Sequence, residues 1–215
     1  MNYRTKKVFD SFSDSVSISV APPSVSDMRS DIITGIFTDD NSTAENIDAF
    51  VSRWPPSQTP VAYSDWIAVD RGNHGTTAIP HIEKMQAQAE TLVSSQSFTV
   101  EAIDRIAAEN SVLSAKWMIF TYTPKIDEIW ARVLKLVCLH RRRGFLKVSP
   151  NKEDNSHVIC VYVDDFTDQS QVSGLREDLR RIGITWKIGF KLDAYTYLGI
   201  YRQNEWGISP TRLIC

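Results

Sequence analysis

Cysteine is scarce in this chain: its 215 residues contain three, Cys138, Cys160 and Cys215. An odd number excludes a fully paired disulfide framework, and the spacing matches no zinc pattern. The thiols are therefore read as reduced, which predicts an intracellular setting in nucleus or cytoplasm. No apolar run reaches about 18 residues, so no membrane span is expected. The N-terminus lacks the apolar core of a secretory signal. The four histidines, His74, His81, His140 and His157, are scattered. There is no Gly-x-Ser-x-Gly elbow, no phosphate-cradling glycine loop and no pair of histidines at ligand spacing. These absences argue against an enzyme, and no catalytic residue, cofactor or metal ion is expected.

What the chain does have is tryptophan, six residues, and an uneven distribution of charge. The net charge of -2 favours no class of partner. Residues 116–152, however, carry nine basic side chains and only two acidic ones, Asp127 and Glu128. The remainder of the chain is acidic. Hydrophobic residues make up 42%, enough for a core of ordinary size.

Residues 1–40 are rich in Ser and Asp, contain Pro22 and Pro23 and show no helical period. They predict a largely disordered tail, although Phe9, Phe12, Val16 and Val20 are compatible with docking on the domain. Residues 41–215 are expected to form a single domain. Ser42 with Glu45 makes a capping box, and Ile47, Phe50, Val51 and Trp54 then share a helical face until Pro55 and Pro56 stop the helix. Residues 66–69 predict a strand and 71–77 a loop. Helices are expected over 80–95 and 100–110, the second capped by Thr99. Residues 116–122 predict a strand, followed by a helix that starts at Thr123-Pro124 and buries Ile126, Ile129, Trp130, Val133 and Val137. Residues 145–149 and 157–163 predict strands, and 168–182 a helix burying Val172, Leu175, Leu179 and Ile182. Residues 185–191 and 195–202 predict two further strands joined by a turn near Leu192-Asp193. No regular βα series appears, so the fold class is α+β, a mostly antiparallel sheet with helices on one face.

Several strings carry a family resemblance: Trp54-Pro55-Pro56-Ser57-Gln58, Trp66-Ile67-Ala68-Val69, Val112-Leu113-Ser114-Ala115-Lys116-Trp117, Lys147-Val148-Ser149-Pro150, the stretch 158–168 and the stretch 193–202. On these the chain resembles the basophilic leukaemia expressed protein family, over about residues 50–212. That family is similar in fold to the cap-binding translation initiation factor. The resemblance implies a curved antiparallel sheet backed by about three helices. It matches Lys116-Trp117-Met118-Ile119 to the factor's Arg-Trp-Leu-Ile strand. It matches Tyr162 to the tryptophan that touches the cap methyl group, and it puts Lys147 and Lys152 near the phosphate-binding positions. Two parts have no counterpart. The loop 71–77 offers His74 where the factor has one sandwich tryptophan, and 107–114 has Glu109 but no aromatic.

Other side chains suggest binding chemistry on their own. Arg141, Arg142 and Arg143 end a helix, where cations complement the dipole; with Lys147 and Lys152 they also form a candidate phosphate-binding stripe for RNA. Tyr195, Tyr197 and Tyr201 would alternate onto one strand face around Gly199, either as a base-stacking platform or packed beneath a helix. Tyr162 and Trp186 are further stacking candidates. Trp66, Trp117 and Trp130 sit in periodic apolar segments and are read as core. Asp164, Asp165 and Asp168 could hold a metal, but their place between a strand and a helix favours capping. Together these features predict a non-catalytic RNA-binding module, an accessory subunit of a ribonucleoprotein. The expected partners are RNA, with small non-coding and capped RNAs both left open, and other protein subunits of that particle; no membrane is expected. The alternative is a protein-interaction scaffold that kept the fold and lost nucleotide binding.

Overall fold

The computed structural model describes residues 31–75 and 78–215. Its strands are β1 (Ile32–Ile36), β2 (Trp66–Asp70), β3 (Ala115–Tyr122), β4 (Phe145–Val148), β5 (Ser156–Val163), β6 (Gly189–Leu192) and β7 (Leu213–Ile214). Its α-helices are α1 (Ala44–Arg53), α2 (Ile82–Ser94), α3 (Val100–Glu109), α4 (Thr123–Lys135), α5 (Gln169–Arg181) and α6 (Asp193–Tyr197). A π-helical segment, Leu136–Arg141, prolongs α4. The seven strands form one sheet in the order β1-β2-β4-β5-β3-β6-β7. Every pairing is antiparallel except β1 with β2. The fold is therefore α+β with a mostly antiparallel sheet, as the pattern of elements predicts.

The register sorts side chains into two faces, because neighbours on paired strands point the same way. Val69, Leu146, Val161, Trp117 and Phe190 align across five strands, and all are buried. Trp117 packs on Phe190 with ring centroids 4.9 Å apart, and its indole N–H donates to the Val172 carbonyl of α5 at 3.1 Å. Helices α1, α4 and α5 cover this face, with Ile47, Ile126, Ile129, Trp130, Val133, Val172, Leu175 and Leu179 in the same core. Helices α2, α3 and α6 pack on one another at one end of the sheet.

Local chemistry explains where most elements start. Thr43, one residue beyond the predicted cap Ser42, accepts from the Asn46 N–H and opens α1. Thr99 caps α3 as expected. Asp168 accepts from the Ser170 and Gln171 N–H groups and opens α5. Helix α4 ends in the π-helical turn with Arg142 in the left-handed region, φ 54°.

Two expectations are corrected. The proposed tail 1–40 contains β1, because β-branched Ile32 and Ile33 find a ladder on β2. Residues 1–30, with Phe9, Phe12, Val16 and Val20, lie outside the described residues. Residues 195–202 are not a strand. Asp193 starts α6, its N–H donating to the Ser114 carbonyl at 2.9 Å. The chain then leaves the helix through Gly199 at φ 72°. The β-favouring tyrosines yield here to tertiary packing, since the helical turn sinks Tyr195 completely into the core. Strand β6 pairs instead with β3 and β7, and it begins at Gly189, so Trp186 lies ahead of it.

Candidate functional site

The second face of the sheet has a different chemistry. Three lysines stand on three strands, each flanked in sequence by buried apolar residues: Ala115-Lys116-Trp117, Leu146-Lys147-Val148 and Phe190-Lys191-Leu192. Alternation sends the flanking residues into the core and the lysines to the opposite side. Lys116 and Lys191 are register partners, and Lys116 also pairs with Tyr162. The Lys116 ammonium lies 5.4 Å from the centre of the Tyr162 ring and the Lys147 ammonium 5.9 Å from it. Lys147 also sits 4.1 Å over the Trp66 ring, and Lys191 4.0 Å over the Tyr201 ring. Phe145 packs edge-on against Tyr162 at 5.2 Å. Cations over ring faces gain from the quadrupole, so the aromatics support the lysines where water is partly excluded.

One carboxylate enters this cluster. Asp193, at the start of α6, pairs with the Lys116 ammonium and accepts from the Ser114 hydroxyl at 2.5 Å. Lys116 also donates to the Thr196 hydroxyl at 3.3 Å. Lys191 is buried and donates to the Ile200 carbonyl at 2.8 Å. Among the described residues no acceptor or carboxylate pairs with the Lys147 ammonium. Burial lowers the affinity of Lys191 for its proton to a pKa of about 8; the nearby Lys116 charge pushes in the same direction, and Asp193 opposes it. Burial, and then Lys116, likewise lower Lys147. The Tyr162 hydroxyl is pushed well above its ordinary value by burial and by Asp193, so it stays a neutral donor. Toward one end of β3 the face opens: Phe120 and Tyr122, two and four residues beyond Met118, are 62% and 68% exposed.

The predicted arginine stripe is not assembled. Each arginine reaches a different acid: Arg141 joins Asp178 of α5, Arg142 joins Asp39 after β1 at 2.8 Å, and Arg143 joins Asp164 after β5 at 2.8 Å. Lys147 belongs to the sheet face, on the strand that follows the run, and Lys152 is exposed in the loop between β4 and β5. Of the stacking residues, Tyr162 and Tyr201 lie in the lysine cluster, whereas Tyr195 is fully buried. Burial raises the Tyr197 hydroxyl to about 12, and Tyr197 lines an open groove of about 530 Å³ with Phe98, Val93 and Trp206. Trp186 is 40% exposed, and its carbonyl accepts from Arg176 at 2.9 Å. The two tyrosines and Trp186 therefore share no platform. Trp66, read as core, instead stands half-buried under Lys147. Lys116 and Lys191 were missed as site residues; a lone lysine between buried apolar residues in a short strand is the signal that finds them.

The Asp cluster separates into local tasks. Asp168 caps α5, and Asp165 accepts from the Thr167 N–H and hydroxyl. Asp164 fastens the loop after β2: it accepts from the Gly75 N–H at 2.7 Å, from Arg143, and lies 3.3 Å from the His74 ring, whose other nitrogen is 3.1 Å from Asp70. Burial alone would raise the Asp164 carboxyl, but those bonds outweigh it and hold it below the ordinary value. Among the described residues no group of three His, Cys, Asp or Glu could hold a metal ion. Among them, too, no helix is long and apolar enough to cross a membrane.

Fold and face together define an α+β protein with a helix-backed sheet and a cationic, aromatic opposite face. The chain belongs to the family of the basophilic leukemia-expressed protein Bles03, whose model matches residues 76–199. Among solved structures it is similar to a schistosome eIF4E determined in complex with m7GpppA and 4E-BP. That likeness has 14% identity and a TM-score of 0.36. It covers 47% of this chain and 58% of the other, so the chain spans little more than half of that neighbour's length.

Proposed function

We propose that this protein is a non-catalytic RNA-binding module that receives single-stranded RNA on the lysine-bearing face of its sheet, opposite α4 and α5, as an accessory subunit of a ribonucleoprotein. The observation that carries this reading is the cluster of Lys116, Lys147 and Lys191 among Trp66, Tyr162 and Tyr201, with Asp193 the one carboxylate acting on Lys147 and Lys191 among the described residues. Sparsely compensated ammonium groups in a partly dry site favour an anionic ligand. Aromatic side chains beside them suit one that also has flat bases. Phe120 and Tyr122 extend the same face outward along β3, where a second and third base could stack.

Fluorescence anisotropy with a short unstructured RNA, across a salt series, tests it. Binding is expected at low salt and should weaken as salt rises. The double substitution Lys147→Met with Lys191→Met removes two phosphate contacts and should flatten the log–log salt slope by roughly 1.4. Absence of binding at low salt, by the isolated protein and by its assembled complex, would sink the reading. A partner protein that stays bound after nuclease treatment, with no RNA affinity, would favour the scaffold alternative.

A further inference from the structure

We infer that the lysine cluster is a receptor for a terminal phosphomonoester, so that the module reads a phosphorylated RNA end rather than the interior of a strand. This rests on the RNA-binding reading above and specifies which part of the RNA the site takes.

Charge and donor count carry the argument. Of three ammonium groups, one is matched by Asp193, which leaves two positive charges without a paired carboxylate among the described residues. A phosphomonoester near neutral pH carries about -1.5 to -2 and presents three acceptor oxygens. An internal phosphodiester carries a single negative charge and two free oxygens, and would leave part of the cluster uncompensated. The donors agree. An ammonium group has three N–H bonds. Lys147 spends none on an acceptor among the described residues, and Lys191 spends one on the Ile200 carbonyl. The hydroxyl of Tyr162 lies on the same ring that both Lys116 and Lys147 approach.

Location agrees as well. The segment from Asp193 to Tyr201 folds over the Lys116–Lys191 end of the face: Asp193 and Thr196 hold Lys116, while Ile200 and Tyr201 hold Lys191. A strand of RNA entering over the exposed Phe120 and Tyr122 would meet this wall at the lysines. Phe120 lies four steps along β3 from Lys116, roughly 13 Å away. The cluster is thus at a closed end, which suits a terminus.

The charged and titratable groups facing the site are Lys116 of β3, Lys147 of β4, Cys160 and Tyr162 of β5, Lys191 of β6, and Asp193, Tyr197 and Tyr201 of the segment beyond it. Two titrations then frame the affinity. Below about pH 6 the monoester gains a proton and loses charge. Above about pH 8 Lys191 loses its proton. A phosphorylated end should therefore bind best between these limits, whereas a hydroxyl-ended RNA should show only the alkaline decline.

The test compares one short RNA sequence with 5′-phosphate, 3′-phosphate and hydroxyl ends, against the full chain and its Lys147→Met and Lys147→Arg variants. One of the two phosphorylated ends should bind about tenfold more tightly than the hydroxyl-ended strand. Lys147→Met should abolish that preference and Lys147→Arg should retain most of it. Circular dichroism confirms that each variant is folded; Lys191→Met provides a second removal of charge should Lys147→Met fail to fold. Equal affinity for all three ends overturns the terminal-phosphate inference while leaving RNA binding in place. A preference that persists in both methionine variants overturns its location. No binding of any RNA overturns both readings together.

Discussion

At the scale of single residues, the unusual positions are cations kept away from water. Arg176 is 2% exposed and pairs with no Asp or Glu side chain among the described residues. Its guanidinium donates instead to the main-chain oxygens of Ile184 at 2.8 Å, Trp186 at 2.9 Å and Cys215 at 3.1 Å. It thereby ties α5 to the approach to β6 and to the residue after β7. Replacing it with Met strands the buried Ile184 acceptor and weakens two part-buried ones, and Arg176→Met should lower stability by about 2 kcal/mol; a denaturant midpoint series measures this, and a change within error would mean that water replaces the clamp. Lys191 makes the opposite prediction. Its folded-state pKa is depressed from 10.5 to about 8, so its burial opposes folding wherever it is charged in both states. Between about pH 8 and 10.5 the unfolded chain holds a proton that the folded one has released, so stability from this group rises with pH across that window. Lys191→Met should be more stable than the parent at pH 7 and should lack the rise; thermal melts at stepped pH check both. A residue that weakens its own fold fits one retained for a ligand.

At the scale of elements, α4 and its π-helical end explain why the arginine run does not act as a stripe. Three consecutive residues at the end of a helix and into a left-handed turn point in different directions, and here each finds its own acid on a different segment. Arg141→Ala, Arg142→Ala and Arg143→Ala combined should lower stability by about 1 kcal/mol, because these are partly exposed pairs. The same variant should leave the salt slope of RNA binding much closer to the parent than the lysine double variant does. A slope flattened as much as in the lysine variant would return the site to the helix end. Legibility also divides by element. Helices α1, α3, α4 and α5 could be read from apolar spacing and caps, since Ile47, Ile103, Trp130 and Leu179 supply period and Thr99 and Asp168 supply boundaries. The 195–202 region could not be, because alternating tyrosines favour a strand locally while Lys116, on a distant strand, captures Asp193 and starts a helix. The basic stretch 116–152 includes two of the three clustered lysines, Lys116 and Lys147, but not Lys191. It did not show which cations would be neutralised by neighbours, which only the pairing of distant segments decides.

At the scale of the whole molecule, the sheet divides labour between its faces. Residues of opposite character alternate along β3, β4 and β6, so the strands that bury Trp117, Leu146 and Phe190 necessarily present Lys116, Lys147 and Lys191 together. Strand order has a further consequence. The three adjacent central strands β4, β5 and β3 come from one contiguous stretch, residues 115–163, with α4 packed against β3 and β5. Strands β1 and β7, drawn from far along the chain in either direction, hang on the two edges. In kinetic terms the β4–β5 hairpin closes the shortest loops, its register partners lying 11 to 15 residues apart, and is expected to form ahead of the other pairings. Lys147 is then set in place with that hairpin, and the cluster becomes complete only when β3 brings Lys116 and β6 brings Lys191.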